Sequence, residues 1–99
     1  MLQLYNEKPI HIFMHKNDKR INVEFCNVKM KMKPCQFRLF NNYLSQLSKQ
    51  INEHTDSVEL LLVKDNLKIT ISLNHFLQLC NGVQIVMKKK FGLKEIIQN

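Results

Sequence analysis

Three short runs of alternating apolar residues constrain this chain more than anything else in it: Ile10, Ile12, Met14; then Ile21, Val23, Phe25; then Val28, Met30, Met32. Period two is the signature of strands buried on one face. Only Cys26 and Asn27 separate the second run from the third, the length of a two-residue hairpin loop. Such a loop sets Phe25 opposite Val28, Val23 opposite Met30 and Ile21 opposite Met32. On the other face it sets Glu24 opposite Lys29, a favourable charge pair. Lys16–Lys19 has turn composition, and a four-residue loop there brings Met14 to Ile21 and Ile12 to Val23. A one-residue slip would destroy both matches. The spacing predicts a three-stranded antiparallel meander.

The period then changes. Phe37, Phe40, Leu44, Leu47 and Ile51 recur at threes and fours, one apolar stripe on a helix that Pro34 can begin. Asn52, His54 and Asp56 mark its exit. A second unit follows the same plan. Val58, Leu60 and Leu62 alternate, Asp65-Asn66 suits a type I′ turn, and Leu67, Ile69 and Ile71 return. Ser72 can cap a helix starting at Leu73, with Phe76, Leu79, Val83 and Val86 as its stripe. Gly82 weakens that helix, and Val83–Met87 reads either as its end or as an edge strand.

Asn27–Leu44 recurs in pattern as Asn66–Val83: Asn27, Lys29, Phe37 and Asn42 meet Asn66, Lys68, Phe76 and Asn81 at one offset. The fold class expected is α+β, an antiparallel sheet of about five strands with two helices on one face. Its order is β-β-β-α-β-β-α, from a duplicated β-hairpin–helix unit. The 99 residues form one domain, with a first unit over about 10–54, a second over about 56–87 and a tail over 88–99. Lys88-Lys89-Lys90 suits a helix C-terminus, and Leu93, Ile96 and Ile97 suit a last short helix.

The string Phe25-Cys26-Asn27-Val28, continued through Met30 and Met32 to Phe37, Phe40 and Leu44, resembles a family of short uncharacterised proteins from Bacteroidetes. Its members carry a similar hairpin–helix unit and a second, weaker copy, which Asn66–Val83 resembles. Cys35-Gln36 and Asn74-His75 stand where that pattern has acidic residues. The resemblance implies the fold and a cytoplasmic protein, and leaves the function open.

Fifteen Lys plus Arg against eight Asp plus Glu leave a net charge of +7. That balance favours anionic partners, above all nucleic acid. A chain rich in Lys, Asn and Ile also reads as the product of an AT-rich genome, with lysine serving only solubility. Three cysteines, Cys26, Cys35 and Cys80, without Cys-x-x-Cys spacing, argue against a disulfide framework. No transmembrane run or signal peptide is recognised, and the cytoplasm is the expected compartment.

Chemistry is sparse. Gly82 and Gly92 belong to no phosphate-cradling pattern. His11 and His15 share a strand face but sit roughly 13 Å apart along it, too far to close on one ion alone. Cys35, in a first helical turn beside Lys33, is the sharpest reactive-thiol candidate, against the plainer reading of a small junction residue. Carboxylates are scattered and suggest no acid–base pair. No enzyme, metal, cofactor or small-molecule substrate is expected. What remains is the helix-free sheet face, carrying Phe13, His15, Arg20, Lys29, Lys31 and Lys33 from the first unit and Leu61 and Val63 from the second. Phe13, Leu61 and Val63 suggest an apolar patch for a protein partner or a homodimer, the first reading. The alternative is RNA or ribosome binding through Arg20, Lys29, Lys31, Lys33 and Lys88–Lys90.

Overall fold

The computed structural model describes residues 1–62 and 67–92. Within them the chain runs β1 (Leu2–Glu7), β2 (Ile10–Met14), β3 (Ile21–Phe25), β4 (Val28–Met32), α1 (Pro34–Ser48), β5 (Ser57–Leu62), β6 (Leu67–Ser72) and α2 (Leu73–Phe91). The meander pairs as its alternation requires. Phe25 faces Val28, Val23 faces Met30 and Ile21 faces Met32, and Ile12 faces Val23 across the next ladder. Cys26 and Asn27 have φ of 48° and 69°, positive at both central positions as a type I′ turn demands.

The single sheet of about five strands is corrected. Four strands form one sheet in the order β1-β2-β3-β4, and β5 and β6 form a second. The element order is therefore β-β-β-β-α-β-β-α. The strand that alternation does not reveal is β1. A bulge between Gln3 and Tyr5 breaks its pairing with β2, so that the neighbours Leu4 and Tyr5 both turn inward, 4% and 8% exposed. One extra residue in a strand erases the period that betrays the others. The second sheet is tied to α1 by one hydrogen bond from its first strand: the Leu61 N–H donates to Tyr43 Oη at 2.8 Å.

The second hairpin also pairs differently. Leu62 stands opposite Leu67, Leu60 opposite Ile69 and Val58 opposite Ile71, two residues away from what a tight turn at Asp65-Asn66 needs. A shift of two preserves the faces, so Val58, Leu60 and Leu62 are buried as the alternation requires. Asp65 and Asn66 themselves lie outside the described residues, as do Leu93, Ile96 and Ile97 of the tail.

Both helices begin where the sequence places them. Pro34 opens α1, and the Lys33 N–H donates to Gln36 Oε1 at 2.8 Å. Ser72 Oγ accepts from the His75 N–H at 3.2 Å at the start of α2. An offset of 39 residues, 34 to 73, superposes the two helix starts and carries β4 onto β6. It does not superpose the strands before them, since β5 ends at Leu62 rather than at 64. The Val83–Met87 segment continues the helix to Phe91, with Lys88, Lys89 and Lys90 in its last turn. Burial decides this against β-branched propensity, because Val83 and Val86 are both fully buried.

One apolar core holds the chain together. Phe76, Leu79, Val83 and Val86 of α2 share it with Ile12, Val23 and Phe25 of the first sheet, Leu60 and Ile71 of the second, and Phe37 and Leu44 of α1. The helix α2 touches β1 and β2 as well as β5 and β6 and so packs on both sheets. Its grip on β1 is also polar. Gln78 Nε2 donates to the carbonyls of Glu7 and Lys8 at 2.7 and 3.0 Å, and Lys89 Nζ donates to that of Leu4 at 2.8 Å.

Candidate interaction face of the four-stranded sheet

The pleat sorts side chains to two faces. One face of β2, β3 and β4 presents Ile12, Val23 and Met30 to the helices. The opposite face is read across the strands as two rows. Gln3, Phe13, Asn22 and Lys31 form the first, and Asn6, His11, Glu24 and Lys29 the second. Gln3 and Asn6 could not be assigned from sequence, because they belong to the strand that the bulge conceals.

Phe13 occupies the middle of this face but offers little surface, being 8% exposed. Its ring lies 4.5 Å from the His11 ring and 5.4 Å, edge-on, from the His15 ring. Asn22 is 7% exposed and satisfies itself locally, its Nδ2 donating to the Phe13 carbonyl at 3.3 Å. His11 Nε2 is buried with no hydrogen-bond partner among the described residues. The exposed groups are therefore Gln3 and Asn6, hydrogen-bonded to each other, with His15, Lys29 and Lys31, followed by Lys33 at the entry to α1. Lysines two residues apart on a strand are about 6.7 Å apart, on the scale of successive phosphates in an extended nucleic-acid strand.

Arg20 belongs to the loop between β2 and β3 and is engaged. Its Nε and terminal nitrogen donate to the two carboxylate oxygens of Asp18 at 3.0 and 2.9 Å, and its backbone N–H donates to Asp18 Oδ1 at 3.0 Å. These hydrogen bonds, helped by the charge of Lys31, hold the Asp18 carboxyl down from its ordinary 3.8 to about 2. Because the folded value lies below the unfolded one, this link is intact above pH 3.8 and is lost as pH falls through about 2. A carboxyl-carbon NMR titration should find the Asp18 midpoint near 2, returning toward 3.8 in Arg20→Ala. An unshifted midpoint in the native protein would refute the pairing in solution.

Leu61 and Lys88–Lys90 are not brought to this face. Leu61 lies on the outer side of the second sheet, 50% exposed, beside the Lys68–Glu59 ion pair at 3.9 Å. Val63 lies outside the described residues. Lys88, Lys89 and Lys90 end α2, on the helical side of the molecule.

The cysteines divide by environment. Cys35 is exposed in the first turn of α1. Burial pushes the Cys80 thiol up to about 11. Cys26 is half-buried in the β3–β4 turn with its Sγ 3.9 Å from His75 Nδ1 on α2, a contact between sequence-distant residues that no spacing rule could suggest. Among the described residues no three His, Cys, Asp or Glu side chains gather closely enough to hold a metal ion. No described helix is long and apolar enough to cross a membrane. No family model, curated protein or solved structure matches the chain.

Proposed function

We propose that the protein is a small, non-enzymatic interaction module of the cytoplasm, whose helix-free sheet face takes single-stranded RNA. The observation that carries this reading is the run of exposed Lys29, Lys31 and Lys33 along and just beyond the edge strand β4, with His15 on the same sheet face. Glu24, half-buried in the row of Lys29, is the carboxylate the strand pairing places among these groups. Self-association through an apolar patch has less behind it. Phe13 has little surface to offer and Leu61 lies on the other sheet. The two hairpin–helix units are read as descendants of one, with binding concentrated on the first. Lys29 and Lys31 there correspond to Lys68 and Thr70 in the second.

Fluorescence anisotropy with a labelled single-stranded RNA, repeated across salt concentrations, tests the proposal. Each phosphate neutralised on a single strand contributes about 0.7 to the slope of log K against log salt. Replacing Lys29, Lys31 and Lys33 by Ala should lower that slope by about 2 and weaken low-salt binding by at least tenfold. An unchanged slope in the triple variant would move the RNA elsewhere. Salt-resistant dimerisation in sedimentation, with no RNA binding, would favour the apolar interface instead.

A further inference from the structure

The helical side of the molecule has its own chemistry. Neither α1 nor α2 contains a single Asp or Glu over their 15 and 19 residues. Their exposed positions are instead rich in Asn, Gln and Ser, with Arg38 on α1 and Lys88, Lys89 and Lys90 on α2. The helices run antiparallel, Phe37 near the start of α1 stacking on Phe91 at the end of α2 with ring centroids 6.5 Å apart. Between them opens a cleft of about 610 Å³ walled by Arg38, Asn41, Asn42, Gln84, Met87 and Lys88.

From this cleft we infer a second binding site, for a nucleoside monophosphate or the equivalent phosphorylated end of a nucleic-acid strand. The volume falls within the range of small-molecule sites and is far larger than a bare phosphate requires. Lys88 makes no ion pair among the described residues, and no helical carboxylate competes with a phosphate for it. The Arg38 guanidinium is seated 4.7 Å above the Phe91 ring, which fixes part of the wall. Gln84 Nε2 donates to Asn41 Oδ1 at 3.1 Å across the cleft, holding two amides in place before a ligand arrives. Amides present both donors and acceptors, the complement of ribose hydroxyls and base edges, and Met87 supplies a polarisable apolar contact for a base. Lys88 binds the phosphate, and the amide wall distinguishes a nucleotide from the free anion. This site is independent of the lysines on β4.

The test is a two-dimensional NMR titration of the full chain with uridine 5′-monophosphate, uridine, inorganic phosphate, and an RNA oligomer bearing or lacking a 5′-phosphate. Side-chain amide signals of Asn41, Asn42 and Gln84 should move with the monophosphate and little with uridine or phosphate alone. If the phosphorylated oligomer moves them at lower concentration than the mononucleotide, the strand end is the ligand; the reverse order assigns the free nucleotide. Lys88→Ala should weaken the effect about tenfold, the loss of one charge-assisted hydrogen bond. Lys31→Ala, on the sheet, should leave it unchanged, which separates this site from the RNA face proposed above. Silent cleft amides at saturating monophosphate, or full retention of binding in Lys88→Ala, would overturn the inference. Asn42→Ala is the second variant, and undiminished selectivity for monophosphate over phosphate there would exclude Asn42 from the amide wall.

Discussion

Replacing Phe76 by Ala is expected to destabilise the protein by about 3–5 kcal/mol and to loosen both sheets at once. Phe76 is fully buried, and it belongs to the helix that packs on β1 and β2 of the four-stranded sheet and on β5 and β6 of the two-stranded one. Truncation removes an aromatic ring from a core that cannot close around the space left behind. A domain of this length has only about 5–15 kcal/mol to lose, so the variant should sit near the edge of folding. Urea unfolding followed by circular dichroism and by amide exchange should show one transition at a lower midpoint, with the slope unchanged. Two separated transitions, with β1–β4 outlasting β5–β6, would mean that α2 does not couple the sheets.

Gly82→Ala should destabilise by roughly 1–2 kcal/mol, against the usual sense of that substitution inside a helix. Alanine ordinarily gains about 1 kcal/mol over glycine at such a position. Here a Cβ would stand 2.8 Å from two ring carbons of Tyr5, a side chain only 8% exposed on β1. Overpacking of this kind costs about 1–3 kcal/mol, and the ring has no solvent to retreat into. The sign should reverse when the ring is removed: in a Tyr5→Ala background, Gly82→Ala should stabilise by about 1 kcal/mol. Denaturation midpoints of the four proteins in this cycle measure the coupling directly. A stabilising effect in the wild-type background would show that β1 does not press on α2 in solution.

Gly82 also illustrates how a sequence signal can be seen and misassigned. Within the helical pattern it looked like a weakness. In the fold it is the place where a helix approaches a strand ring to ring-contact distance, and the strand concerned is the one that alternation failed to reveal. The two errors have a common origin. Without β1 there is nothing for Gly82 to accommodate, and the bulge between Gln3 and Tyr5 removes the period by which β1 would be recognised.

The candidate surface was partly legible for the same reason that the meander was. A two-residue loop at Cys26-Asn27 determines which residues oppose which, and period two then assigns Lys29 and Lys31 to one face and Met30 and Met32 to the other. Exposure was not legible. Phe13 has the correct face and almost no accessible surface, and Arg20 has a basic side chain already engaged by Asp18. Both outcomes depend on neighbours that local pattern does not specify. The cleft between the helices was invisible to pattern altogether, although its ingredients, helices without carboxylates, stood in the sequence throughout.

Local regularities thus settle local facts: the meander and its register, the start of each helix at Pro34 and Leu73, and the inward set Val58, Leu60 and Leu62. Hydrogen-bond geometry and the two periods act over a few residues, so a few residues suffice to read them. How many sheets the strands make is decided elsewhere. It goes with contacts between distant parts of the chain, among them the Leu61 N–H on Tyr43 Oη and a six-residue strand held by Gly82, Gln78 and Lys89 of a helix some seventy to eighty-five positions away. Such contacts carry no period and become visible only when the chain has closed on itself.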